Sequence, residues 1–201
     1  RVWLHYWLAQ VDEMLAVVER LRPVVEREGT AAQRARFFQT LVSANLRRER
    51  YRVSAETVQF ARRSLQASLE TRVDAEVALA RFVLAFQLLF HDALDEADAT
   101  MRAALADAER IGDVTLQARC LTYVMAIQRR RGEVASAEDW ATRTLAIATK
   151  AKMLGAAAAA EANLAWVAWR RGDTDVTVAA RPRMVPPRAS NGWTTYEVTN
   201  P

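Results

Sequence analysis

The stretch Ala78 to Asp113, ALARFVLAFQLLFHDALDEADATMRAALADAERIGD, decides how the rest of the chain is read. Its first half places Ala78, Phe82, Ala85, Phe86 and Leu89 at steps of three and four, the spacing of one face of a 3.6-residue helix. In the second half Leu94, Ala97, Met101, Ala104, Leu105 and Ala108 form a second stripe, with most of the charges on the opposite side. His91-Asp92 separates the halves, and Gly112 stands where a helix stop is expected, because glycine adopts left-handed backbone angles without a Cβ clash. The stretch therefore predicts one helical hairpin between two stops.

Outward from this hairpin the pattern continues in both directions. Val11 to Glu28 has a helical stripe of Leu15, Val18, Leu21 and Val25, with Pro23 expected to kink it. Thr30 is placed to cap a helix running to about Arg48, and Ser54 opens another through Val58, Ala61 and Leu65. After the hairpin, helices are expected over Leu116 to Arg131, Val134 to Lys150 and Ala156 to Arg171, with a weak last element from Thr174.

These segments repeat. Asp92, Gly132 and Gly172 fall 40 residues apart in equivalent turns, and Arg52 takes the same place one period earlier. Before each turn Ala78, Ala118 and Ala158 align, as do Ala80, Cys120 and Ala160, and Leu84, Val124 and Leu164. After it Ala97 aligns with Ala137, Met101 with Ala141, and Leu65 with Leu105 and Leu145. A helical hairpin cannot bury its apolar face alone, so repeated hairpins must stack. The expectation is an all-α fold, a right-handed α-solenoid of antiparallel helix pairs over residues 1–180, followed by a Pro-rich irregular tail over 181–201 in which Trp193 to Val198 could pair as a strand.

RRRGEVASAEDWATRTLAIA, with Gly132, Ala137 and Leu145, and LLFHDALDEADATMRAALADAE, with Ala97, Ala104 and Leu105, resemble the tetratricopeptide (TPR) repeat. The period exceeds the usual TPR length of about 34 residues, and the Trp-x-x-Leu-Gly-x-x-Tyr opening is missing from the first helices, which is the pattern of the longer, divergent TPR-like repeats. ERLRPVVEREGTAAQRARFFQTL, ERIGDVTLQARCLTYVMAIQRRRGE and EANLAWVAWRRGD further resemble the TPR-like region of large bacterial ATP-binding regulators, over about Leu8 to Asp173. The resemblance implies a non-enzymatic sensor or scaffold segment joined elsewhere to an ATPase module and a LuxR-type DNA-binding or cyclase domain. It implies protein, peptide or neighbouring-domain partners, with a small inducer as a further possibility, and no cofactor.

Composition sets the outer bounds. A chain of 201 residues with 51% hydrophobic and 26% charged residues has ordinary globular usage. No apolar run is long enough to span a bilayer. The N-terminal RVWLHYW lacks a starting Met and a signal-peptide layout, and reads as internal to a longer cytoplasmic protein. The net charge of +4 admits acidic partners without implying nucleic acid. Cys120 is alone, and His5 and His91 lack metal-site spacing, so neither zinc nor Cys-His catalysis is expected.

A binding surface is what remains. In TPR-like arrays the first helices line the concave side, and the repeat register puts Phe82, Phe86, Arg119, Tyr123, Arg130, Asn163, Trp166, Trp169 and Arg170 among the positions that face it. Aromatics beside arginines supply contact area and charge-assisted hydrogen bonds. Phe82, Phe86 and Trp166 fit a plain core role equally well. The arginine pairs and tryptophans also admit an RNA-binding solenoid as the alternative.

Overall fold

The computed structural model describes residues 10–173, together with Leu4 and Leu8; the expected element from Thr174, the tail over 181–201 and His5 lie outside the described residues. Eight helices follow one another: α1 Val11–Glu28, α2 Ala31–Arg48, α3 Ala55–Thr71, α4 Asp74–Phe90, α5 Leu94–Arg110, α6 Val114–Arg131, α7 Val134–Lys150 and α8 Leu154–Arg171. No strand interrupts them among the described residues. Each packs on its neighbours in sequence, which makes the chain the all-α solenoid of antiparallel helix pairs that the repeat implies.

Local chemistry sets the helix ends. Thr30 and Gln33 form a reciprocal capping box at α2, the Gln33 amide donating to Thr30 Oγ1 at 3.3 Å and the Thr30 amide to Gln33 Oε1 at 2.8 Å. Ser54 caps α3 by accepting from the Thr57 amide, and Asp113 caps α6 by accepting from the Leu116 amide. Pro23 stays inside α1, where its missing N–H takes one bond out of the ladder.

The C-terminal turns share a second regularity. Residues with left-handed φ recur every twenty positions: Arg72, Asp92, Gly112, Lys152 and two further glycines, Gly132 at φ 76° and Gly172 at φ 85°. From Asp92 onward the residue after each donates its amide five positions back, Ala93 to Leu88 and Glu133 to Gln128 among them, satisfying carbonyls the helix leaves over. The first hairpin departs from this. The expected equivalence at Arg52 gives way to left-handed Arg50 and Tyr51, because residues 49–54 form a longer loop. Glu49 closes that loop, accepting from the Ser54 amide and from the Ser54 and Thr57 hydroxyls.

A Cβ at Gly132 would meet nothing within 4 Å, so the backbone angle alone sets the cost of a side chain there. Gly132→Ala is expected to lower stability by about 1–2 kcal/mol. Lys152→Gly, at φ 56°, is expected to raise it by about 0.5–1 kcal/mol. Urea midpoints of the two variants would move in opposite directions; a shift of the same sign in both would show that φ is not the controlling quantity.

Alanines let the helices approach. Ala78, Ala85, Ala97, Ala104, Ala108, Ala137, Ala141 and Ala160 are fully buried, and Phe82, Leu88, Met101, Leu121 and Ile127 fill the spaces between them. Charged pairs hold the outside. Arg63–Glu26, Arg62–Glu96 and Arg143–Glu109 link α3 to α1, α3 to α5 and α7 to α5. Arg131–Asp98 and its counterpart one period later, Arg171–Glu138, fasten a first helix to the preceding second helix. The exposed pairs among these are worth about 0–1 kcal/mol each.

Candidate functional site

The first helices of the pairs, α2, α4, α6 and α8, touch one another in succession as well as their own partners. No two second helices meet to the same extent, so the stack closes toward the first-helix side. That side carries a recurring three-helix pattern. Advancing by 40, Phe86 is followed by Ala126 and Trp166, and Phe90 by Arg130 and Arg170. Where its flanking repeats carry rings, α6 carries a methyl group. A notch of about 400 Å³ results, lined by Leu89 and Phe90 of α4, Thr122, Tyr123, Ala126, Arg129 and Arg130 of α6, and Asn163 and Trp166 of α8.

Four of the residues expected from sequence, Tyr123, Arg130, Asn163 and Trp166, meet at this notch. Phe86 stands beside it, edge-on to Tyr123 with ring centroids 4.8 Å apart. Phe82 is 2% exposed and lies beneath the face, against Tyr123 at 5.7 Å and under the Arg119 guanidinium at 4.2 Å. Trp169 is 57% exposed and does not line the notch. Arg170 stacks on one ring, Trp166, at 5.6 Å. Arg129, Phe90 and Ala126 belong to the site and were not singled out from sequence. A repeat alignment read position by position, 86 with 126 and 166, is the signal that exposes Ala126.

The arginines of the sequence patches and of this face include some that are paired and some that are not. Arg130 donates to the Leu89 carbonyl and pairs with Asp92 at 2.7 Å, clamping α6 to the end of α4. Arg131 pairs with Asp95 and Asp98, Arg62 with Glu96, Arg63 with Glu26 and Arg171 with Glu138. Hydrogen bonding from Arg171 holds the Glu138 carboxyl below its usual range. On the first-helix side, Arg119, Arg129 and Arg170 make no carboxylate pair among the described residues. Arg129 instead donates weakly to Asn163 Oδ1 at 3.5 Å and stacks on Trp166 at 5.2 Å. Asn163 is held in turn by donating Nδ2 to the Ala159 carbonyl at 2.7 Å.

Two residues with reactive side chains serve packing. His91 Nδ1 bonds the Val53 carbonyl at 2.8 Å, tying the second hairpin turn to the first loop. Cys120 is fully buried, and burial pushes its thiol up to about 12. Because the unfolded thiol ionises near 9 and the folded one does not, the folded state binds the extra proton between these values. Stability therefore falls as pH rises from 9 toward 12. Cys120→Ala, which installs the residue found at Ala80 and Ala160, is expected to flatten that part of the profile. Alkaline urea titrations of both proteins would read the difference, and rapid thiol labelling of the native protein at pH 8 would contradict it.

Among the described residues no group of three or more His, Cys, Asp or Glu could hold a metal ion. Nor is any described helix long and apolar enough to cross a membrane.

No protein-family model matches the chain, and no curated protein matches it. Solved structures do. Aspartyl phosphate phosphatase F from Bacillus subtilis superposes with a TM-score of 0.73 at 13% identity, over 89% of this chain and 49% of the other. The chain thus spans about half the length of that protein. BtubC (BKLC) from P. vanneervenii superposes with a TM-score of 0.75 at 15% identity, over 100% of this chain and 84% of the other. At these identities the likeness is one of fold.

Proposed function

We infer that the chain is a non-enzymatic interaction and sensing segment of a larger bacterial signal-transduction or transcription regulator acting in the cytoplasm. One observation carries this reading: the first helices bring rings and unpaired guanidiniums from α4, α6 and α8 to one side of the stack, around an open notch. Surfaces that combine aromatic anchors with arginine are those where binding energy concentrates in protein interfaces. The same fold serves a protein named for acting on aspartyl phosphate, which is in keeping with a signalling setting. The resemblance to the TPR-like region of ATP-binding regulators supplies the expectation of ATPase and DNA-binding or cyclase domains elsewhere in the polypeptide.

A small inducer is the second reading, favoured by a notch whose volume lies within the range of ligand pockets, about 300–1,000 Å³. The RNA-binding alternative loses ground because most of the arginines that suggested it are spent on carboxylates.

Photo-crosslinking in cells tests the interaction reading. A benzophenone side chain at Thr122, on the notch, is expected to trap a protein partner, whereas one at the exposed Ala103 of α5 is not. Equal trapping at both positions, or none at Thr122, would count against an inner-face site.

A further inference from the structure

Charge is sorted between the two kinds of helix. The first helices α2, α4, α6 and α8 hold eleven arginines against three carboxylates, Asp74, Glu76 and Glu161, and α2 and α6 hold no carboxylate at all. The remaining helices α1, α3, α5 and α7 hold fourteen carboxylates against nine basic residues. Hence the first helices carry a net positive charge and the others a net negative one, and part of the difference is spent where Arg34, Arg81, Arg131 and Arg171 pair with carboxylates of the second helices.

Around the notch Arg130 is spent on Asp92, but three further arginines are left without a carboxylate. Arg119, Arg129 and Arg170 have rings rather than carboxylates as partners among the described residues. A guanidinium stacked on a ring keeps its N–H groups at the edge, where they can still grip a carboxylate. Between these arginines, Ala126 leaves room for one large apolar side chain against Tyr123 and Trp166.

Resting on the interaction reading above, we propose that the inner face binds an acidic peptide segment. One large apolar residue of that segment enters the notch beside Ala126, and flanking carboxylates pair with Arg119, Arg129 and Arg170. Single-stranded RNA fits less well. Base stacking needs open aromatic faces, whereas at the notch Trp166 carries guanidiniums at 5.2 and 5.6 Å and Phe82 beneath it carries one at 4.2 Å, and the exposed Trp169 lies outside the notch. In the Phe86–Tyr123 pair, with the rings at 88° to each other, the edge of one ring covers a face of the other.

The test is selection from a random peptide phage library with balanced acidic and basic codons, on the full 201-residue chain, with fluorescent poly(U) RNA as a parallel probe. The wild type is expected to enrich acidic peptides that contain a large apolar residue. Ala126→Trp, which fills the notch, should weaken a selected peptide at least about tenfold, and so should the double variant Arg129→Glu, Arg170→Glu. The double variant should instead enrich basic peptides, a gain that a misfolded protein would not give.

Enrichment of neutral or basic peptides that Ala126→Trp still displaces would overturn the acidic partner while leaving the interaction reading in place. Peptides indifferent to both variants, or no enrichment at all, with or without RNA binding, would overturn both.

Discussion

Phe82→Ala is expected to cost about 3–5 kcal/mol of stability, the range for deleting a buried ring that the surroundings cannot replace. Phe82 belongs to α4, yet its ring packs on Phe86 of its own helix, Tyr123 of α6 and the Arg119 guanidinium, so it joins two repeats. In a stack stabilised by neighbour contacts, a loss at such a junction uncouples the parts on either side. Urea unfolding followed by far-ultraviolet circular dichroism should therefore show a lower midpoint and a broadened transition. It should also weaken any ligand of the inner face, because Arg119 and Tyr123 lose their support. A loss below about 1 kcal/mol would mean that the site collapses around the missing ring and that Phe82 is not the support described.

The second large effect comes from one repeat position occupied by Gln87, Ile127 and Val167. All three are buried, at 2%, 0% and 2% exposure, and Gln87 Oε1 has no hydrogen-bond partner. Ile127→Gln should cost about 3–5 kcal/mol, combining the lost apolar burial with a newly enclosed amide. Gln87→Ile should run the other way and stabilise by about 1–3 kcal/mol, since it removes an acceptor that folding leaves unsatisfied. Denaturant midpoints of the two single variants decide the matter. If Gln87→Ile destabilised as Ile127→Gln does, the glutamine would be held by a bond that its environment does not display.

The solenoid was legible in the sequence because its period is written twice, in the small residues of the helices and in Asp92, Gly132 and Gly172. The companion series at Arg72, Gly112 and Lys152 was legible only at its glycine, since arginine and lysine give no hint that a turn forces them to positive φ. Helix starts were set too late, at 78, 116 and 156 instead of Asp74, Val114 and Leu154. Val73 and Met153 lack the capping oxygen that makes Thr30 and Ser54 readable. The first hairpin was misregistered because its loop is closed by Glu49, a residue type with no turn signature.

At the candidate site Tyr123, Arg130, Asn163 and Trp166 announced themselves, whereas Phe90 and Arg129 did not. The notch did not, because Ala126 acts by what it lacks, and the pattern shows only beside Phe86 and Trp166. The arginine patches were misleading for a related reason. Arg62, Arg131 and Arg171 find their carboxylates on another helix, outside any local window of sequence.

The turns that recur every twenty residues divide the chain into units that lean only on those close by in the stack. Pulled from its two ends, such a molecule would yield one hairpin at a time at low force instead of rupturing as a block. Between those events it would stretch and recoil as a soft spring, so tension could widen or narrow the inner groove before any helix is lost.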